Sequence, residues 1–348
     1  MSKFLDEIYE MPSALKRLVY YYRNDGRAKI SEWKNHINIQ KRILFTGMGT
    51  SEFAPISIMN RLAAIGISSI NLDAGEWLHY GSGIQGENSI AAIISQSGES
   101  IEVKKLIESS KAGIQYIAIT NDENSFLGKS AQLTLPLYAG DEFSVSTKTY
   151  SNTLGLLYIL ACALQENCEI SHVFDELDNL ADKMLDIDDK SIKEAAEFLL
   201  PGSSLVFVSR GPALVCAKQC KLTFMEGTRC VASAFTGGAF RHGPFEVADA
   251  DFRLIIFRPE GLTEYLLDKL AENAAKLRAH VVVFTDRKKI ESDYIKEILV
   301  KNVQTKHAEE LFPIAVSVPQ NLLLYHLAEA RGIKEVGFRY GGKITIQE

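Results

Sequence analysis

The chain has 348 residues, 46% hydrophobic and 24% charged, which excludes a disordered or fibrous protein and gives room for two domains of about 150 residues. Its net charge of −6 at pH 7 argues against a broad nucleic-acid-binding face and leaves a small local anion pocket open. The cysteines (Cys162, Cys168, Cys216, Cys220, Cys230) are too few and irregular for a disulfide framework. No His or Cys cluster at ligand spacing joins them, so no metal is expected.

In chain order, residues 1–26 read as an N-terminal helical arm with no apolar signal core. No run of about 18 apolar residues follows, so a cytoplasmic protein without a membrane partner is expected. Candidate strands Arg42–Gly47, Ser69–Asp73, Ile90–Ser95, Tyr116–Thr120 and Leu133–Tyr138 alternate with helical patterns at Glu52–Ile65, Ile101–Ala112 and Ser125–Ala131. An apolar helix near Thr147–Gln165 closes this unit. Residues 169–200 form a helical bridge in which Asp186-Ile187-Asp188-Asp189 reads as a solvated helix end, and Pro201-Gly202 then punctuates the chain.

The second half repeats the rhythm. Strands are expected at Leu205–Ser209, Phe252–Phe257, Val281–Thr285 and Pro313–Val318, and helices at Ala213–Thr228, Thr263–Ala279 and Asn321–Arg331. Arg287-Lys288-Lys289 reads as a solvated helix start. Phe45-Thr46-Gly47-Met48-Gly49 and Phe207-Val208-Ser209-Arg210-Gly211 match in form, which suggests a duplicated unit. The expected architecture is α/β, two doubly wound parallel-sheet domains in tandem over 27–168 and 201–335, with a tail, 336–348, that folds back.

The chemistry concentrates at helix openings. Ile93-Ile94-Ser95-Gln96-Ser97-Gly98-Glu99-Ser100 runs a strand into a burst of hydroxyls, and a helix pattern starts at Ile101. Helix N-termini favour anions, and hydroxyls without lysine suit a phosphate monoester. No G-x-x-x-x-G-K-[ST] run occurs, so a nucleotide P-loop is excluded. Gly47-Met48-Gly49-Thr50-Ser51 and Ser144-Val145-Ser146-Thr147-Lys148 each open a helix in the same unit. Alone, each reads as an N-cap; three together would converge on one crevice.

These residues resemble the sugar isomerase (SIS) domain proteins, in particular the isomerase half of glutamine–fructose-6-phosphate aminotransferases and their glutaminase-free relatives. The resemblance spans nearly the whole chain: Glu7-Ile8-Tyr9-Glu10-Met11-Pro12, Gly47–Ser51, Ser95–Ser100, Ser146-Thr147-Lys148, Arg241-His242-Gly243-Pro244 and Lys343–Glu348. It implies a flavodoxin-like fold in each domain and no cofactor. Ser51, Ser95, Gln96, Ser97 and Ser100 would hold a 6-phosphate, and Thr50, Ser144 and Ser146 would touch sugar hydroxyls. By the same resemblance Glu226 shuttles a proton between C1 and C2, and His242 opens the ring. Lys343 forms an imine or places a charge near the open-chain oxygen. A homodimer is implied, with His242 supplied by the neighbouring subunit and the sugar phosphate held between the domains. The residue types suit these tasks: a shielded carboxylate, a histidine and a lysine can move protons beside a carbonyl near neutral pH.

Departures from the pattern narrow the expectation. The sequence carries no glutaminase segment, so amidotransfer from glutamine is not expected. Leu222-Thr223-Phe224-Met225-Glu226 and Phe240-Arg241-His242-Gly243-Pro244 look more like fructosamine 6-phosphate deglycases. Lys343-Ile344-Thr345-Ile346-Gln347-Glu348 looks more like the aminotransferase ending, and Ala239 stands where both groups usually carry Glu. The expected activity is amine release at C1 or C2 of a 6-phosphorylated amino sugar or fructosamine. A simple aldose–ketose isomerase and a non-catalytic phosphosugar sensor are the alternatives.

Overall fold

The structure is a computed structural model that describes residues 2–37, 42–81, 83–84, 89–109, 115–200, 202 and 204–343. The chain divides into two compact units. An N-lobe holds Ser13–Glu142, Lys148–Asp178 and the tail from Tyr340, and a C-lobe holds Met1–Pro12, Phe143–Thr147 and Asn179–Arg339.

Helices α1 (Lys3–Arg23) and α2 (Arg27–His36) precede the first sheet. Then come β1 (Arg42–Gly47), α3 (Thr50–Phe53), α4 (Ile56–Ala64), β2 (Ser69–Asp73), α5 (Ala74–Tyr80), β3 (Ser89–Ile94), α6 (Ile101–Ser109), β4 (Tyr116–Thr120), α7 (Phe126–Ser130) and β5 (Leu133–Pro136). The five strands are all parallel, in the order β2-β1-β3-β4-β5. Their near-continuous apolar runs follow from burial on both faces. Leu44, Ala91, Ile93, Tyr116 and Ala118 meet Ala74, Trp77, Val103, Leu106 and Leu127 on one side. Helix α8 (Lys148–Ala163) is buried throughout; its Asn152 donates to the carbonyls of Ala14 (2.9 Å) and Leu137 (2.8 Å). That pairing satisfies the amide nitrogen in the core, while Asn152 Oδ1 has no hydrogen-bond partner among the described residues.

After α9 (Ile170–Lys183) and α10 (Asp189–Phe198), the C-lobe builds the same topology. Its elements are β6 (Ser204–Ser209), α11 (Leu214–Thr228), β7 (Val231–Thr236), α12 (Gly237–Arg241), β8 (Arg253–Arg258), α13 (Glu264–Lys276), β9 (His280–Thr285) and β10 (Ile295–Leu299). The order β10-β9-β8-β6-β7 is the N-lobe order read from the other edge. Helices α14 (Ala308–Ala315) and α15 (Ser317–Ala330) finish the lobe. Ala308–Ala330 is long and apolar enough to cross a membrane, but 89% of its apolar window is buried inside the fold.

The α/β class and both parallel sheets are as expected from sequence, with local corrections. Pro313–Val318 is helix, split between α14 and α15, because a short apolar run buried on all sides has no period that distinguishes strand from core helix. The fifth strand is instead Ile295–Leu299, an edge strand whose exposed Lys296 interrupts the apolar run. Val231–Thr236 was not expected as a strand; its small residues lie on a half-exposed edge two residues after α11. Arg287-Lys288-Lys289 opens no helix: Arg287 pairs with Glu260 (3.0 Å) and Lys289 with Glu264. Pro55 divides the expected helix at Glu52–Ile65, and α5 fills the β2–β3 connection, where no helix was expected.

Candidate active site

A doubly wound sheet opens a crevice where successive strands leave in opposite directions, here between β1 and β3. The two loops at that point are Gly47–Thr50 and Ser95–Ser100. They are pressed together at Gly47, where a Cβ would lie 2.7 Å from both the Ile94 carbonyl oxygen and Ser51 Cβ. Glycine is required there, and the contact sets Ser51 beside the end of β3.

The Ser95–Ser100 loop is tied to its neighbours by backbone. Ser95 N–H donates to Ile119 O (3.0 Å), Asn121 N–H to Gln96 O (3.0 Å) and Leu127 N–H to Gly98 O (3.1 Å). Ser95 Oγ accepts from Gly98 N–H (3.1 Å) and lies 3.3 Å from Ser100 Oγ, while Ser97 Oγ accepts from Glu99 N–H (3.2 Å). Gly98 has φ +64°, and a Cβ on it would fall 2.0 Å from Ser125 Oγ, so no other residue fits. Glu99 accepts from Phe126 N–H (2.7 Å) and pairs with Lys104 (2.5 Å), and these bonds lower its pKa. The Lys104 ammonium at this helix opening is thus already neutralised by Glu99. The side chains of Thr50, Ser51 and Gln96 have no hydrogen-bond partner among the described residues. Rigid, pre-oriented and partly unsatisfied donors around a helix N-terminus are what an oxyanion needs.

The other expected residues fall into two groups. In the C-lobe, Ser144 Oγ donates to Val336 O (2.7 Å), and Gln219 on α11 donates to Ser146 O (3.5 Å). Arg229, in the left-handed region at φ 60°, caps α11 by donating to Glu226 O and to Gly337 O (2.7 Å). Ser144, Ser146 and half-buried Glu226 thereby share one neighbourhood around Val336-Gly337. In the N-lobe, Lys343 Nζ meets Glu142 Oε2 at 2.6 Å. Glu142, fully buried, also accepts from Thr149 N–H (3.0 Å) and Thr149 Oγ1 (2.6 Å). Burial pushes the Glu142 carboxyl up, but the Lys343 charge and the hydrogen bonds outweigh it and hold the group below the usual carboxylate range.

His242 is not brought to Glu226 within the lobe. It follows α12 at the C-terminal strand edge and is exposed. Glu226 lies near the far end of α11, about 18 Å along the helix from Leu214. The six residues of β7 then climb roughly 20 Å back up to Thr236. Two further groups escaped the sequence reading: Glu142, an acid just before the Ser144–Lys148 opening, and Arg210, which follows β6 where Met48 follows β1. Among the described residues no group of three or more metal-ligating side chains converges.

Residues 36–163 match the SIS domain. A glutamine–fructose-6-phosphate aminotransferase of Thermococcus kodakarensis is 28% identical over 345 residues; the match covers 94% of this chain and 55% of that protein. The chain therefore spans about half the length of the curated relatives it matches. Among solved structures, the C-terminal domain of glucosamine-fructose-6-phosphate aminotransferase from Francisella tularensis superposes with TM-score 0.83 at 22% identity, covering 96% of this chain and 97% of that one. Glucosamine-6-phosphate deaminase from Thermotoga maritima superposes with TM-score 0.76 at 20% identity and covers 99% of each chain. At such identities these structures establish the fold.

Proposed function

The chain is a SIS-domain protein, and from that premise we propose that it releases an amine from C1 or C2 of a 6-phosphorylated fructosamine or amino sugar. The observation that carries this reading is the hydroxyl and amide cradle at the β1/β3 switch point, with the side chains of Thr50, Ser51 and Gln96 unpartnered. A phosphate there is met by Ser51, Ser95, Gln96, Ser97 and Ser100, and Thr50, Ser144 and Ser146 contact the sugar.

For a fructosamine, the Glu226 carboxylate takes a proton from C1 and returns it to C2. The ketose thereby becomes an iminium at C1. Water adds to C1, the C1–N bond breaks with its electron pair leaving on the protonated amine, and an aldose 6-phosphate remains. For a 2-amino sugar the same steps run with the carbons exchanged and leave a ketose 6-phosphate and ammonia. No oxidant enters either balance. His242 moves the ring proton. The separation of Glu226 and His242 along one βα unit supports the reading, implied by the resemblance, that His242 serves a site on a second copy of the chain in a homodimer. Lys343 is ion-paired with Glu142, which supports a charge near the open-chain oxygen over imine formation.

The deciding assay incubates the protein with glucosamine 6-phosphate and with several fructosyl-amino-acid 6-phosphates, and measures ammonia or free amino acid together with the hexose phosphate formed. Interconversion of unsubstituted hexose phosphates without amine release would replace this reading with a simple aldose–ketose isomerase.

A further inference from the structure

Histidines of this chain lie against carboxylates at His36 with Glu32 (3.8 Å), His172 with Glu169 (3.2 Å) and His326 with Asp189 (2.8 Å). Protonation strengthens each of those contacts. His280 is placed the other way. Its Nδ1 lies 3.1 Å from Nη1 of Arg253. A guanidinium only donates, so Nδ1 accepts and the ring is neutral, with its proton on Nε2. The two residues open the adjacent strands β8 and β9 and are direct register partners. His280 N–H also donates to Phe252 O (2.9 Å), so the backbone holds the pair face to face.

Arg253 is 3% exposed and gathers several parts of the C-lobe. Its Nε donates to Leu199 O (3.1 Å), the residue that caps α10. Its Nη1 is shared among His280 Nδ1, Phe252 O (3.3 Å) and Ala250 O (3.2 Å) in the turn before β8. Gly202 lies across the aliphatic stem, where a Cβ would come within 2.5 Å of Arg253 Cγ. The imidazole itself packs on Phe198, the last residue of α10, with centroids 4.5 Å apart, and edge-on to Tyr294 at 6.4 Å. Cations back both aromatic neighbours: Lys296 lies over the Phe198 ring at 5.8 Å, and Arg278 donates to the Tyr294 hydroxyl (3.0 Å). The acids on this side, Asp249 and Asp251, are exposed in the turn before β8. Burial first, and the Arg253 charge second, lower the His280 pKa against smaller opposing pulls from the Ala250 carbonyl and Asp251.

We propose that the Arg253–His280 contact is an acid-released clasp: proton uptake by His280 frees the end of α10 and the turn before β8 from the N-terminal edge of the C-lobe sheet. The proton goes to Nδ1, which turns from acceptor to donor. The imidazolium then faces a like charge at hydrogen-bond distance and competes with the guanidinium for the Ala250 carbonyl. The sign follows from the lowered folded value. The clasp is complete above the unfolded histidine value of about 6.5, weakens as pH falls below it, and is lost as pH falls through the folded value. The device is independent of the activity proposed above.

Hydrogen exchange on the full chain between pH 7.5 and pH 5.5, corrected for the intrinsic pH dependence of exchange, reads the opening directly. The amides of Leu199, Gly202 and Phe252, which bond to Ala195 O, Leu199 O and Asp249 O, are expected to lose protection roughly 10-fold on acidification, the worth of about one hydrogen bond to a charged group. The amides of Ile255 and Val282, in the sheet centre, keep theirs. His280→Gln supplies an acceptor that does not ionise, so it retains the protection seen at pH 7.5 and flattens the response to acid. His280→Lys fixes the charge and brings the acid level of opening to pH 7.5. In NMR titrations the wild-type His280 ring ionises below the unfolded value, and Arg253→Met moves its midpoint upward. Protection in the wild type that does not change on acidification, an acid loss that persists in His280→Gln, or a His280 ring that ionises at or above the unfolded value would each overturn the clasp.

Discussion

Glu142 and Lys343 offer the sharpest test of how the tail is held. Lys343 Nζ is 2.6 Å from a carboxylate with no exposure, and the lysine itself keeps 18% of its side-chain surface. Lys343→Met strands that carboxylate. Removing one partner of a buried ion pair costs roughly 3–5 kcal/mol, and the two bonds from Thr149 together with the partial exposure of Lys343 place the loss near the low end, about 3 kcal/mol. A unit of this size loses about 2–4 °C of Tm per kcal/mol, so a drop of roughly 6–12 °C is expected in the N-lobe transition. Glu142→Gln with Lys343→Met leaves no stranded charge and recovers most of it.

The pH dependence gives the sign. Glu142 is held below the usual carboxylate range when folded, so the pair stabilises above the unfolded value and is lost as pH falls through the folded one. The gap between wild type and Lys343→Met is therefore full near pH 7 and closes on acidification. Calorimetric melts from pH 7.5 down to pH 4 measure it. A single substitution that leaves Tm within 2 °C at pH 7, or a double variant whose loss is the sum of the singles, would refute the pair as an anchor of the tail.

Three other outcomes follow from the geometry. Ser51→Ala and Ser97→Ala each raise the KM for the phosphorylated substrate about 10-fold, one charge-assisted hydrogen bond apiece, with a smaller change in kcat; equal losses on a non-phosphorylated sugar would place the phosphate elsewhere. Gly98→Ala meets Ser125 Oγ at 2.0 Å with φ +64°, so it destabilises the N-lobe by about 2–4 kcal/mol and weakens sugar-phosphate affinity, read by denaturant melts and calorimetry. Glu226→Gln and His242→Gln each reduce turnover by at least about 100-fold, yet mixing the two unfolded and refolding them together restores a fraction of the activity, because a mixed pair of chains owns one intact site; no recovery in verified mixed dimers would return both residues to one chain.

The fold was legible where the pattern was redundant. Each first-half strand is a short apolar run bounded by a turn, and the N-lobe sheet matches the five expected strands closely. The C-lobe was harder because its edges are not apolar: Val-Ala-Ser-Ala-Phe-Thr and Ile-Lys-Glu-Ile-Leu need only half a buried face, whereas the most strand-like run, Pro-Ile-Ala-Val-Ser-Val, is core helix. The place of the hydroxyl residues after β1 and β3 was legible, because an apolar run ending ahead of a helical pattern marks a strand-to-helix junction. Glu142 and Arg210 were not, since an acid and an arginine in loops read as solvated surface until their burial and partners are known.

The two lobes share one topology and diverge in what fills the strand ends. After β3 in the N-lobe stand serines and a glutamine on a backbone fixed by Gly98, and their donors remain in part unused. At the corresponding end of β8 in the C-lobe, Arg258 has no exposed surface and is surrounded by Glu264, Asp268, Glu297, Thr285 Oγ1 and the Arg287 carbonyl. The acids already occupy both Nη groups of the guanidinium, while Arg258 Nε is left without a hydrogen-bond partner, and burial raises the Asp268 pKa further than Arg258 lowers it. An incoming phosphate would have to displace carboxylates from a dry arginine and leave them unpaired, which several kcal/mol per stranded charge forbids. The two sheets share one topology, and the different side chains at their strand ends are why the proposed phosphate site is assigned to the N-lobe.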